Sequence, residues 1–402
     1  MLALLLGLAH AIDARVCIEA HTSYTDLNPA SDYFTSNIDR RLRGITVDVK
    51  EEFGAGNVVF SGRTDVTGAD VGCVTVPVSV TTGETYKVRI WAEQAVAGAL
   101  VTVHDSANGM VTSEVIETNH QFFFLGGLDT TLTADPRDDW HILAVTGFAL
   151  NRATGGLFGA IDTEFFIPDA NGTLHPSVSC SGECIDGNAV YISSARASKA
   201  HAVAYALGFT FFEAMGGVDI DDSLDDIDYN GGGAPLHIAS PEHMSAALAS
   251  GYAHLYSGIV FNLTSQSDCA ITNWQPTDWD LMGAPCFQRI DTPVGTFMSC
   301  AVGRSPLAPA WGQRAYYEAM GYTPPAALDV PAVPIDVVRF WWQAMQDHGL
   351  SFTDITDVYV DTSPWNWDTK TDTDIETDLE DALTSPGRLT TTQFEALRNR
   401  HL

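Results

Sequence analysis

The hydrophobic pattern of this chain changes period once, and that change limits what it can fold into. From about Ala14 to Leu128 the apolar residues come in short β-prone runs broken by Gly, Asp and Asn: GITVDV, NVVFSG, CVTVPVSV, TYKVRIWAE and ALVTVHD. In TYKVRIWAE, Tyr86, Val88 and Ile90 alternate with Lys87 and Arg89, giving one buried and one wet face. Such runs read as a β-sandwich-like domain over residues 12–128. From residue 129 the pattern turns helical. Asp138 or Asp139 caps a helix through WHILAVTGFALNRA, and a second helix runs from Ser194 to Met215, stopped by Gly216-Gly217. A third starts at Ser240-Pro241-Glu242 and continues through AALASGYAHLYSGIVFN, with Ser as cap and Pro in the first turn. WGQRAYYEAMG, DVVRFWWQAMQDHG and Thr392–Arg400 supply the rest, the last with capping-box spacing in TQFE. The expected fold class is α+β, a β-sandwich-like domain followed by a mainly helical domain over residues 129–402.

The N-terminus, MLALLLGLAHA, joins the apolar run Leu2–Leu8 to a small-x-small site at Ala9-His10-Ala11, so residues 1–11 read as a signal peptide. No later apolar run has the length of a membrane span. Seven cysteines fit an oxidising compartment, and the expected location is secreted or on the cell surface. Cys17 and Cys73 each sit in a β-patterned run and are expected to pair within the N-terminal domain. Cys180 and Cys184 can pair with each other or reach Cys269, Cys286 or Cys300. With 51 acidic against 20 basic residues the formal charge is −31. That balance repels phosphate polymers, so nucleic acid is not an expected partner.

Two of the helices carry a resemblance. KAHAVAYALGFTFFEAMGG resembles the active-site helix of zincin metallopeptidases, which carries HExxH before a bulky apolar stretch, and HIASPEHMSAALASGYAHLYSGIVFN resembles the next helix of the Glu-zincin type, which carries E-G-x-A-H. WHILAVTGFALNRATGGLFG and RFWWQAMQDHGLSFTDITDVY are similar to segments of an uncharacterised secreted bacterial family that joins a β-domain to such a peptidase domain. The resemblance implies a zincin-like domain and also shows where this chain departs from one. HExxH works because histidines at i and i+4 hold zinc while the Glu acts as base. Here the motif falls on Tyr205, Ala206, Leu207, Gly208 and Phe209, and the Glu of the following helix falls on Ser250. None of these is a customary zinc donor, so no catalytic residue and no catalytic zinc are expected.

Other residues offer metal chemistry of their own. His201 and Tyr205, at i and i+4, form with His254 a candidate atypical metal site; the plainer reading makes these histidines hydrogen-bonded or surface groups. Asp226-x-Asp228-x-Asn230-Gly231 matches the opening of an EF-hand loop, but His237 stands at the twelfth position in place of Glu. Ca²⁺ is therefore a candidate ligand there, or in the acidic run Asp368–Asp381, which otherwise reads as solvated loop. The expected function is a secreted binding or structural protein on a zincin-like scaffold, with an unidentified protein or glycan as ligand. The alternatives are a metallopeptidase with an atypical site, and an adhesion or carbohydrate-binding protein acting through the β-domain.

Overall fold

The structure, a computed structural model, describes residues 13–20, 41–51, 56–77, 85–106, 117–123, 129–134, 138–152, 161–175, 184–216, 244–261, 270–272, 289–292, 295–299 and 334–402. Strands β1 (Ala14–Glu19), β2 (Ile45–Glu51), β3 (Val58–Arg63), β4 (Cys73–Val76), β5 (Thr85–Val96), β6 (Ala99–Asp105), β7 (Glu117–Phe123) and β8 (Asp129–Thr133) precede helix α1 (Asp138–Arg152). Then come β9 (Thr163–Ile167), β10 (Cys184–Asp186), β11 (Ala189–Tyr191), α2 (Ser194–Ala197), α3 (Ala200–Gly216) and α4 (Met244–Phe261). Short strands β12 (Ala270–Thr272), β13 (Arg289–Thr292) and β14 (Gly295–Ser299) pair among themselves. The chain continues in α5 (Pro334–His348), α6 (Phe352–Asp361), a 3₁₀ turn (Pro364–Thr369), α7 (Asp372–Thr384) and α8 (Thr391–His401).

The fold is α+β. A three-stranded sheet has the order β4-β1-β8, and the Cys17–Cys73 disulfide ties β1 to β4 at residues that are register partners. The larger, eight-stranded sheet has the order β10-β11-β9-β6-β5-β2-β3, with β7 also on β5. β5 buries every second residue, Tyr86 through Val96, as the alternation of its sequence requires.

This sheet does not stop at residue 128. β9 pairs in parallel with β6, and β11 in parallel with β9. A parallel pair needs a crossover of a dozen residues or more, and α1 lies in the chain between β6 and β9. It packs on β5 and β6, where buried Gln94 Nε2 donates to the Leu143 carbonyl of α1 at 2.9 Å. The buried aromatic pair Phe165 and Phe166 in TEFFI marks the strand that this crossover reaches.

The helices depart from expectation in three places. The helix expected from Ser194 is broken at Ser198 and Lys199, because the Ala197 carbonyl bonds His141 Nδ1 at 2.5 Å. In an unbroken helix that carbonyl would accept from the amide of residue 201. The acidic run that read as loop is mostly α7, opened by a Thr371–Asp374 capping box, with Ile375, Leu379 and Leu383 buried at spacings of four. Its buried Asp372 accepts the Met244 amide at 2.8 Å and so caps α4. Helix α8 starts from a box at Thr390 and Gln393, two residues before the one read in TQFE. The expected helix WGQRAYYEAMG lies outside the described residues.

Candidate functional site: the seam between α3 and α4

Both α3 and α4 are apolar nearly all round, which suits helices covered on every side. Small residues let them approach closely. A Cβ on Gly208 would lie 3.0 Å from Tyr256 Cβ and 3.1 Å from Ala253 Cα. On the far side of α4, a Cβ on Gly251 would lie 2.5 Å from Val337 Cγ1 of α5.

The polar groups of this apolar pair line up along one seam. His201 and Tyr205 on α3 meet Ser250, His254 and Ser257 on α4, which recur at i, i+4 and i+7. Tyr205 Oη is 3.3 Å from Ser250 Oγ, and the Tyr205 ring lies 4.4 Å from that of His254. His201 Nε2 is 3.3 Å from His254 Nδ1, with the two rings within 16° of parallel. On the other edge of the ring, His201 Nδ1 is 2.6 Å from Ser257 Oγ, which itself donates to the His201 carbonyl at 3.2 Å.

Those bonds fix the protons. Ser257 has one hydroxyl hydrogen, directed to the carbonyl, so it accepts from His201 Nδ1–H. His201 Nε2 therefore carries a lone pair and accepts from His254 Nδ1–H. Burial lowers His201 to about 3, and holds His254 well below the usual range with the added repulsion of His201 and Arg196. Burial raises the Tyr205 phenol to about 12, against the smaller opposing effect of the Ser250 hydrogen bond. The seam is a chain of neutral donors and acceptors.

Of the positions singled out by the sequence, Tyr205 and Ser250 face each other, and His201 and His254 face each other. Ala206 and Phe209 are buried, with the Phe209 ring 5.9 Å from Tyr205. Among the described residues no three His, Cys, Asp or Glu side chains gather as a metal-holding group. Asp226, Asp228 and Asn230 lie outside the described residues, as do Cys180, Cys269, Cys286 and Cys300. Cys184 is disulfide-bonded. Sequence reasoning missed Ser257 and His141, although Ser250, His254 and Ser257 are polar interruptions of an apolar helix at helical spacing. No described helix is long and apolar enough to cross a membrane. Comparison with protein-family models, curated proteins and solved structures finds no match.

Proposed function

We propose that this is an exported binding or structural protein whose α3–α4 pair is a zincin-like scaffold without catalytic zinc. The bond between Tyr205 and Ser250 carries the reading. Of the three positions that the resemblance assigns to metal ligands, Tyr205 and Ser250 face each other across the seam and each satisfies the other at 3.3 Å, while the third is the apolar ring of Phe209. Zinc is held by thiolate, imidazole or carboxylate donors. A phenol raised to about 12 is neutral at pH 7, and Ala206 has no carboxylate with which to activate water. The Cys17–Cys73 disulfide fits an oxidising compartment and so supports export.

Metal analysis of the purified protein beside a peptidase assay tests this. The expected result is no stoichiometric zinc and no cleavage of an unstructured protein. The combined variant Tyr205→His, Ala206→Glu, Phe209→His and Ser250→Glu should gain zinc affinity. One tightly bound zinc in the wild type, with chelator-sensitive cleavage, would establish instead the metallopeptidase with an atypical site at His201, Tyr205 and His254.

A second reading places ligand binding on the outward face of the large sheet. There Arg89 lies 4.1 Å over the Trp91 ring, and Asp48 accepts from Trp91 Nε1 at 2.8 Å and from Arg89 and Ser61. An aromatic ring fixed among planar polar groups suits a sugar face. Trp91→Ala should then abolish any binding found on a glycan array while leaving the thermal transition in place. Unchanged array binding would remove this reading.

A further inference from the structure

Three buried histidines hold the entry to α3. His141 on α1 is fully buried and donates Nδ1–H to the Ala197 carbonyl at the end of α2. His201, the second residue of α3, is 2% exposed, and its partner His254 on α4 is 1% exposed. Each ring fastens α3 or its entry to another helix; the His201–His254 pair needs a neutral acceptor nitrogen, whereas the His141 bond survives protonation and only burial opposes the charge there. A proton added to His201 Nε2 would set two N–H groups head-on across 3.3 Å unless His254 gave up its own. In either case a cation appears where burial has removed its water.

The charged groups beside the rings make this worse. Arg196 on α2 bears on His254, and Lys199 in the α2–α3 turn bears on His141, both cationic. Tyr205, the titratable neighbour on α3, is neutral. From α4 the hydroxyls of Ser250 and Ser257 meet Tyr205 and His201. Asp139, two residues before His141, is the buried acidic group on α1.

We propose that the α2–α3 junction is an acid-sensitive joint, in which uptake of protons by His141, His201 and His254 releases α3 from α1 and α4. The proposal rests on the metal-free reading of the seam. An exposed histidine titrates near 6.5. In the closed joint burial lowers His141 to about 4 and His201 to about 3. The opened form therefore binds more protons than the closed form between those limits. Stability is complete above about pH 6.5 and falls as the pH drops. From pH 6 to pH 5, with the exposed ring still part-way through its titration, each histidine multiplies the opening equilibrium by about seven to eight, and three multiply it by about four hundred. Asp and Glu titrate near 4, so the interval from pH 6 to pH 5 isolates the histidines.

Backbone hydrogen exchange of α3 in the full chain, corrected for intrinsic rate, reads the opening directly. Protection should fall about four hundredfold from pH 6 to pH 5. His141→Gln should reduce that to about sixtyfold, and His201→Gln with His254→Gln to about sevenfold. Equal protection at both pH values, or the same fall in all variants, would overturn the proposal. If the variants do not fold, wild-type histidine proton NMR decides. Three of the 12 histidines should keep their shifts to pH 5 while the fold persists; all of them titrating near 6.5 would also overturn it. Metal content of the same sample separates the two ideas. Stoichiometric metal in the seam overturns the metal-free reading, whereas titration of all the histidines in metal-free protein overturns this one alone.

Discussion

Replacing Cys17 and Cys73 together with alanine is expected to lower unfolding stability by about 4 kcal/mol, the largest single effect predicted for this fold. The bridge spans a sequence separation of 56, and closing a loop of that length restricts the unfolded chain by about that amount. Its position adds to the effect. The residues are register partners on β1 and β4, in a sheet of three strands, and both are 1% exposed. β1 supplies Val16 and Ile18 to the core, so fraying there exposes apolar surface as well. Urea denaturation of the oxidised wild type against the double alanine variant measures the difference. A loss below about 1 kcal/mol would mean that β1 and β4 are held by pairing and burial alone, and that the bridge constrains little.

What could be read from the sequence follows from how local each signal is. β5 alternates strictly, and α1 has an acidic first turn, so both were legible from their own residues. The pairing of Cys17 with Cys73 followed from two β-patterned runs. The parallel partnership of β9 with β6 did not, because no residue in either strand names its neighbour. α7 was hidden by composition. Its first turn and outer face are Asp, Glu and Thr, which read as solvated loop, while the apolar spacing of Ile375, Leu379 and Leu383 was the weaker signal. At the seam, His201, Tyr205, Ser250 and His254 were legible as positions on two helices. That they bond in facing pairs depends on a close approach set by Gly208, and spacing along one helix cannot show which rotation it presents to another. The break between α2 and α3 was the least legible feature. It is made by His141, more than fifty residues earlier, taking the Ala197 carbonyl.

Gln94→Leu is expected to cost about 3 kcal/mol, the sum of one or two buried acceptors left without a donor. Gln94 lies on the inward face of β5, fully buried beneath α1. Its Nε2 donates to the Arg43 carbonyl at 2.7 Å and to the Leu143 carbonyl of α1 at 2.9 Å, and its Oε1 accepts from Thr146 Oγ1 at 2.9 Å. The side chain thus joins the chain leading into β2, the central strand and the crossover helix. Leucine has similar bulk and none of these bonds. Thr146 can still donate to the Ile142 carbonyl at 2.9 Å, and the Leu143 carbonyl lies within a helical turn, so the Arg43 carbonyl suffers most. The contact is also steric. A Cβ on Gly147 would stand 2.2 Å from Gln94 Nε2, so α1 reaches the sheet only because residue 147 lacks one. Gly147→Ala must therefore displace Gln94 or lift the helix, and it should do less harm where Gln94 is already alanine. A double-mutant cycle with Gln94→Ala, Gly147→Ala and the pair, each unfolded in urea, should show coupling of at least about 1 kcal/mol. Simple additivity would mean that α1 is seated by its apolar face alone, with Gln94 a satisfied bystander.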